Sequence, residues 1–165
     1  MKYISFDMGW DGACTIFDED GKYIDSITFK KSKKYHMIDG NDLYEEINKH
    51  VSENEQVRVV IEMQHTKQKE KGKKTNILNV GVILATIARF NIAGEITEVA
   101  PITWQKFFNV YGRTKKVISD KAVERGYPKD KTHTPRGRLL DGNTDSYLIG
   151  YWFYKMTKMQ QKMSK

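Results

Sequence analysis

The sequence predicts an α/β protein in which helices cover both faces of a mixed, five-stranded sheet. Strand-like segments follow one another at the N-terminus, over Lys2–Asp7, Ala13–Asp18 and Tyr23–Phe29, and the turn signal Asp20-Gly21 joins the last two. Further along, apolar strand-like segments alternate with segments of helical spacing. Consecutive strands favour antiparallel pairing, and strands separated by helices favour parallel pairing, so the two patterns together indicate a mixed sheet.

The remaining elements follow from the same periodicities. The expected helices are Asp42–Val51, Ile77–Phe90, Pro101–Phe108, Thr114–Arg125 and Asn143–Met159, the expected strands are Gln56–Gln64 and Glu95–Val99, and the basic loops are Thr66–Asn76 and Tyr127–Arg138. The helix Ile77–Phe90 is apolar nearly all round, which predicts that it is covered on two sides. No repeat or linker divides the chain, so we expect one domain over residues 1–165.

Composition narrows the class of partner. The chain carries 28 Lys and Arg against 21 Asp and Glu, a net charge of +7, which favours a polyanion, with nucleic acid ahead of a membrane surface. Cys14 is the only cysteine, which excludes an intrachain disulfide and suits a reducing cytosol. The longest apolar run, Val80–Ala88, is too short to span a bilayer. We therefore expect a cytoplasmic protein.

Four acidic residues stand where an α/β sheet places its functional sites. Asp7 and Glu62 end predicted strands, and Asp141 and Asp145 lie at the start of the last helix. Each alone is explained by a turn or a helix cap, and Asp141 in particular is either a ligand or a cap. Together they predict a site for Mg²⁺, which prefers carboxylate oxygen. Two such ions about 3.5–4 Å apart can activate water for phosphodiester hydrolysis, while surrounding lysines hold the phosphates.

The motifs resemble those of the RuvC-type Holliday-junction resolvases of the ribonuclease H-like superfamily, especially the shorter phage and viral versions. The resemblance runs through ISFDMGWDGACTIFD, VVIEMQ, GVILATIA, VAPITWQKFFNVYGRTKK and TDSYLIGYW. It implies a ribonuclease H-like fold in a phage- or bacterium-like host. It also implies a homodimeric endonuclease that cuts four-way junctions, and other branched DNA such as forks and flaps, with two Mg²⁺ ions per active site, for which Mn²⁺ can substitute.

The resemblance also assigns roles to residues. Asp7 would bridge two metal ions, Glu62 would bind one of them and Asp145 the other, with Asp141 as a further ligand. Lys116 falls where the family has a functionally important lysine. The expected DNA contacts are His65, Lys67, Lys69, Lys71, Lys73, Lys74, Lys106, Arg113, Lys115 and Lys116.

Two positions depart from the family pattern. His65 stands where the family commonly has an aromatic residue that stacks on unpaired bases, and imidazole stacks less extensively. Gly142 stands where the family has an acid three residues before Asp145. Two alternatives stay open: a ribonuclease H that cuts RNA–DNA hybrids, and a non-catalytic protein that binds branched DNA. The helix Ile77–Phe90 argues against the first, since one of its faces is left for a partner subunit.

Overall fold

The computed structural model describes residues 1–9, 11–32, 37–63 and 70–164, with residues 70–76 described by their backbone alone. Within this part of the chain the strands are β1 (Lys2–Asp7), β2 (Ala13–Phe17), β3 (Tyr23–Thr28), β4 (Gln56–Glu62), β5 (Asn91–Ile92) and β6 (Thr97–Val99). The helices are α1 (Gly40–Asn48), α2 (Glu70–Ile87), α3 (Pro101–Phe107), α4 (Lys115–Glu124) and α5 (Asp141–Met163), with a 3₁₀ turn at Lys129–Lys131. None of these helices is long and apolar enough to cross a membrane.

The strands form one mixed sheet in the order β3-β2-β1-β4-β5, with β6 also paired to β4. β2 is antiparallel to β1 and β3, whereas β4 is parallel to β1, β5 and β6. This confirms the predicted mixed α/β sheet. β5 pairs with the start of β4 and β6 with its end, so the two short strands share one edge position. A strand of two residues has no periodicity, which is why the sequence indicates a single strand there.

The sheet separates two apolar clusters, and alternation along β1 supplies both. Ile4 and Phe6 belong to the cluster that includes α1 and α2 side chains such as Ile47 and Ile83. Tyr3 belongs to the other cluster, whose remaining side chains come mainly from β2, β4, β6 and α3–α5. Successive strand residues point to opposite faces, so helices cover the sheet on both sides. The start of α5 lies near the carboxyl end of β1, because Ser5 Oγ of β1 donates to the Ser146 carbonyl at 2.6 Å and Gly142 packs against the β1–β2 turn.

Three helices begin earlier than the sequence predicts, and the first of them, α1, begins at Gly40, two residues before the expected Asp42. α2 begins at Glu70, so Lys71, Lys73 and Lys74 lie in a helix and not in the expected loop. Lys and Glu are good helix formers, and the single glycine in this stretch costs only about 1 kcal/mol. The expected DNA contacts His65, Lys67 and Lys69 lie outside the described residues. α5 begins at Asp141, two residues before the predicted start.

The two faces of α2 have different environments. Asn79, Ile83 and Ile87 are buried against the sheet and α1. On the opposite side, Ile77 is 62% exposed, and Leu78 and Leu84 are also exposed. The prediction that this helix is covered on two sides therefore does not hold within the single chain.

Candidate active site

Asp7 and Glu62 lie next to each other because β1 and β4 are parallel neighbours. Phe6 pairs with Ile61 in the register of the two strands, so the next residue of each strand stands at the same edge of the sheet. Asp7 is 9% exposed, and its Oδ1 accepts a hydrogen bond of 2.9 Å from the backbone N–H of Gly9. Glu62 Oε1 accepts one of 2.7 Å from the indole Nε1–H of Trp104, which α3 brings under the strand end.

The first turn of α5 brings two more carboxylates to this edge. Because the helix begins at Asp141, Asp141 and Asp145 are one turn apart and share a face. The Nζ of Lys115, the first residue of α4, lies 2.8 Å from Asp145 Oδ2 and 3.3 Å from Asp141 Oδ2. The residue that caps the helix is Leu140, and no side chain makes a capping hydrogen bond. The carboxylate of Asp141 is thus engaged with Lys115.

Burial makes these carboxylates costly as anions. It raises the pKa of Asp7 well above the usual range, and the negative charges of Asp145 and Glu62 raise it further. Burial raises the pKa of Glu62 to about 7, although the hydrogen bond from Trp104 opposes the shift. The pKa of Asp145 is also raised by burial, against the pull of the Lys115 ammonium group. The cluster therefore has a strong electrostatic preference for added positive charge.

The donor set suits a hard divalent cation. Four carboxylates face one ammonium group, and oxygen donors are the ligands that Mg²⁺ and Mn²⁺ prefer. Among the described residues Asp145 Oδ1 is one of two buried side-chain polar atoms that have no hydrogen-bond partner. As placed, no three acidic, histidine or cysteine side chains of the described residues converge tightly enough to hold an ion. The ammonium group of Lys115 contacts both Asp141 and Asp145. The acidic residues therefore fit a metal ion by their charge and donor type, and not by the present spacing of their side chains.

Gly142 is a glycine because the first turn of α5 packs directly on the β1–β2 turn. A Cβ at residue 142 would lie 2.1 Å from the backbone oxygen of Asp11, so no side chain can stand there. This contact explains why the acid that the family pattern puts at residue 142 is missing. The neighbouring acid, Asp141, points toward Lys115 from one position earlier.

The lysine that contacts the acidic residues is Lys115, whereas Lys116, to which the resemblance assigns a functional role, makes no such contact in the described part of the chain. Successive helical residues are rotated by about 100°, so the two side chains leave α4 in different directions. Lys116 lines a separate cavity of about 550 Å³, together with Lys129 and His133. Lys106 and Arg113 are exposed in the segment that leads to α4.

Trp104 is the site residue that sequence reasoning missed. A buried indole normally needs a hydrogen-bond acceptor, so a tryptophan in the first turns of an amphipathic helix was the available signal. The pattern does not say which acceptor it meets, since Glu62 is 42 residues away.

The described strands and helices form an α/β fold that carries Asp7 and Glu62 at the carboxyl ends of two neighbouring parallel strands. Among solved structures the chain is similar to RuvC of Thermus thermophilus in complex with a Holliday junction substrate, with a TM-score of 0.66 and 12% identity over 95% of this chain and 96% of that one. A second Thermus thermophilus RuvC structure matches with a TM-score of 0.60 and 13% identity, over 95% and 97% of the two chains. No protein-family model and no curated protein matches the chain. At this identity the similarity shows that the chain has the RuvC fold, as the resemblance predicts.

Proposed function

We propose that the chain is a metal-dependent, structure-selective DNA endonuclease that resolves four-way junctions and also cuts forks and flaps. The observation that carries the proposal is that Asp7 and Glu62 stand together at the carboxyl edge of β1 and β4 and interact electrostatically with Asp145, which shares Lys115 with Asp141. The RuvC fold and the net charge of +7 support DNA as the substrate.

In this proposal Asp7, Glu62, Asp141 and Asp145 would hold two divalent cations. The bound Mg²⁺ or Mn²⁺ ions supply the Lewis acid that activates water and stabilises the leaving oxygen. Trp104 orients Glu62 through its indole N–H. Lys115 neutralises Asp145 in the metal-free protein. Once a metal ion neutralises Asp145 instead, Lys115 would be available to contact a DNA phosphate.

The DNA contacts proposed on the described residues are Lys106, Arg113, Lys115 and Lys116, all of them exposed. Phosphate contacts of this kind position the DNA without reading its sequence, so substrate choice rests on the shape of the branch. We propose phosphate contacts of the same kind for the lysines of residues 67–74, whose side chains lie outside the described part of the structure.

We further propose a homodimer formed through α2. A four-way junction needs two symmetric cuts, and a two-fold dimer supplies two active sites. The exposed apolar side chains Ile77, Leu78 and Leu84 on the outer face of α2 support this interface. A single chain gains nothing by exposing these side chains, whereas a partner helix would bury them.

The proposal is tested by a cleavage assay on a four-way junction, a fork, a plain duplex and an RNA–DNA hybrid. With Mg²⁺ we expect cutting of the junction and the fork, none in EDTA, and little cutting of the duplex or the hybrid. Asp7→Asn and Glu62→Gln should abolish cutting and keep junction binding, since each removes a metal-binding charge and preserves shape. Preferred cutting of the hybrid would indicate a ribonuclease H, and binding without any cutting would indicate a DNA-binding protein.

A further inference from the structure

A cationic groove lies where the end of α3 leads toward α4. Lys106, Asn109, Tyr111 and Arg113 line it, and it encloses about 520 Å³. Tyr111 is 57% exposed, more than any other aromatic side chain whose burial the structure describes. A single exposed tyrosine is ordinary on a protein surface, so its environment decides whether it has a role.

The backbone around Tyr111 is held in place on both sides. Val110 is buried in the same apolar cluster as Trp104, and its N–H donates to the carbonyl of Gln105 at 2.8 Å. The N–H of Arg113 donates to the carbonyl of Val110 at 3.0 Å. Asn109 and Gly112, which stand on either side of Val110 and Tyr111 in the chain, both have positive φ angles, of 58° and 70°. The buried Val110 thus holds a tight turn from which the Tyr111 ring extends outward. A ligand that stacks on this ring has little backbone left to order, which lowers the entropy cost of binding.

The charges in the groove select an anion. Lys106 Nζ lies 5.9 Å from the centroid of the Tyr111 ring. Arg113, two residues after Tyr111, also lines the groove. Across the described residues, neither Lys106 nor Arg113 forms an ion pair with an acid, and no acid lines the groove. A flat π surface beside two uncompensated cations matches a nucleotide, whose base stacks and whose phosphates are anionic. The exposed amide of Asn109 can donate to and accept from a base edge.

The groove is close to the acidic cluster. Arg113 precedes Lys115 by two residues and Tyr111 precedes it by four. The Cα atoms of Arg113 and Tyr111 therefore lie at most about 7 Å and about 14 Å from the Cα atom of Lys115. Lys115 Nζ is 2.8 Å from Asp145. A base inside a duplex has both of its faces stacked, so only an unpaired base offers one to Tyr111.

We propose that this groove binds an unpaired nucleotide a few positions from the phosphate that is cut, with Tyr111 stacked on the base and Lys106 and Arg113 on the flanking phosphates. The inference rests on the proposed function, because it supplies that nuclease with a contact to the unpaired bases of a branch point. It assigns a role to Tyr111 that none of the expected DNA contacts covers.

The test measures the affinity of Tyr111→Ala, in the Asp7→Asn background, for an oligothymidine single strand, for a fork with unpaired bases at the branch and for a plain duplex. We expect about tenfold weaker binding of the single strand and the fork, about 1.4 kcal/mol, with the duplex unchanged. Tyr111→Phe should bind like the parent protein, because the ring is kept. Phe107→Ala, which removes an exposed aromatic residue outside the groove, should also bind like the parent.

A fluorescent base analogue gives a direct readout of stacking. With 2-aminopurine at the unpaired position of the fork, we expect quenching by the Asp7→Asn protein and by its Tyr111→Phe variant, and its loss with Tyr111→Ala. Lys106→Ala and Arg113→Ala should weaken binding of all three DNAs and lower the salt slope, by about 0.9 per lost phosphate contact on the duplex and about 0.7 on the single strand.

Either of two results with Tyr111→Ala would overturn the proposed groove: equal losses of affinity for duplex and single strand, or a loss equal to that of Phe107→Ala. Failure of the proposed nuclease is seen separately, as a wild-type protein that does not cut a junction with Mg²⁺. Tyr111-dependent binding of oligothymidine would still support the groove in that case. A wild-type protein that binds no single strand would overturn it whether or not junctions are cut.

Discussion

The indole N–H of Trp104 donates a hydrogen bond of 2.7 Å to Oε1 of Glu62, and the Trp104 side chain is 0% exposed. This bond fixes the direction of one carboxylate oxygen at the end of β4 and leaves the other free for a cation. Because the indole is packed in the core, the carboxylate cannot turn away without leaving a buried donor unpaired.

Trp104→Phe should therefore lower the affinity for Mg²⁺ by about tenfold or more, the usual effect of losing a hydrogen bond to a metal ligand. Metal binding to the protein without DNA, measured by calorimetry, gives this value independently of activity. Cutting should recover at high Mg²⁺, since the ligand itself is intact. Trp152→Phe is the matched control, because Trp152 is a half-buried tryptophan seven residues after Asp145 in α5. Equal metal affinity in the two variants would show that the Trp104 bond is structural only.

Lys115→Ala and Lys116→Ala form a second matched pair. Lys115 contacts Asp145 and Asp141, whereas Lys116 lines another cavity. We expect Lys115→Ala to reduce the cutting rate at least tenfold and to lower the melting temperature in EDTA, because two carboxylates lose their counter-ion. Lys116→Ala should weaken DNA binding and leave the rate at saturating DNA within about twofold. The reverse order of effects on the rate would return the catalytic role to Lys116.

The metal-free protein should lose stability as the pH rises. Burial raises the pKa of Glu62 from 4.5 to about 7, so between these values the folded chain holds a proton that the unfolded chain has released. Stability falls with pH wherever the folded state binds more protons. Glu62→Gln should flatten the profile of melting temperature in EDTA across this range. Saturating Mg²⁺ should also flatten this profile in the wild type, because the metal ion stabilises the ionised carboxylate of Glu62. A wild-type profile that rises from about pH 5 to about pH 7 would contradict the assignment.

Asp145→Asn should eliminate cutting, and Asp141→Asn should reduce it at least tenfold, about 1.4 kcal/mol in barrier. Asp145 is 7% exposed and has an unpaired buried Oδ1, so it depends more strongly on a cation than Asp141 does. Asp141 is more exposed and shares Lys115 with it. Melting in EDTA separates the roles of Asp141. A loss of stability with an unchanged cutting rate would make Asp141 a partner of Lys115 in the first helical turn and not a ligand.

Leu84→Glu on the outer face of α2 should convert the proposed dimer to a monomer. Leu84 is exposed beside the still more exposed Ile77, so the charge costs little in an isolated chain and much at an apolar interface. Light scattering at micromolar concentration should give the mass of two chains for the wild type and of one for the variant. Val117→Glu, an exposed apolar position on α4, is the control. A monomeric wild type, with and without junction DNA, would overturn the α2 interface.

Local pattern was sufficient for the longer strands of the sheet and for the placement of two acids. The alternation along Lys2–Asp7 and the apolar run in Gln56–Glu62 each indicate a strand, and a parallel pair necessarily brings its carboxyl ends to one edge. Asp7 and Glu62 therefore meet for reasons that can be read along the chain. Helical spacing similarly puts Asp141 and Asp145 on one face once the helix start is known.

Tertiary packing decided the rest, because it depends on contacts between residues far apart in sequence. Which of two adjacent lysines meets Asp145 follows from the rotation of α4 against α5, 30 residues away. Gly142 is required by the backbone of Asp11, which no local periodicity reveals. The partner of the Trp104 indole depends on how α3 packs under β4. Periodicity predicts the face that a residue occupies, and only the packing of one element on another selects the atom it meets.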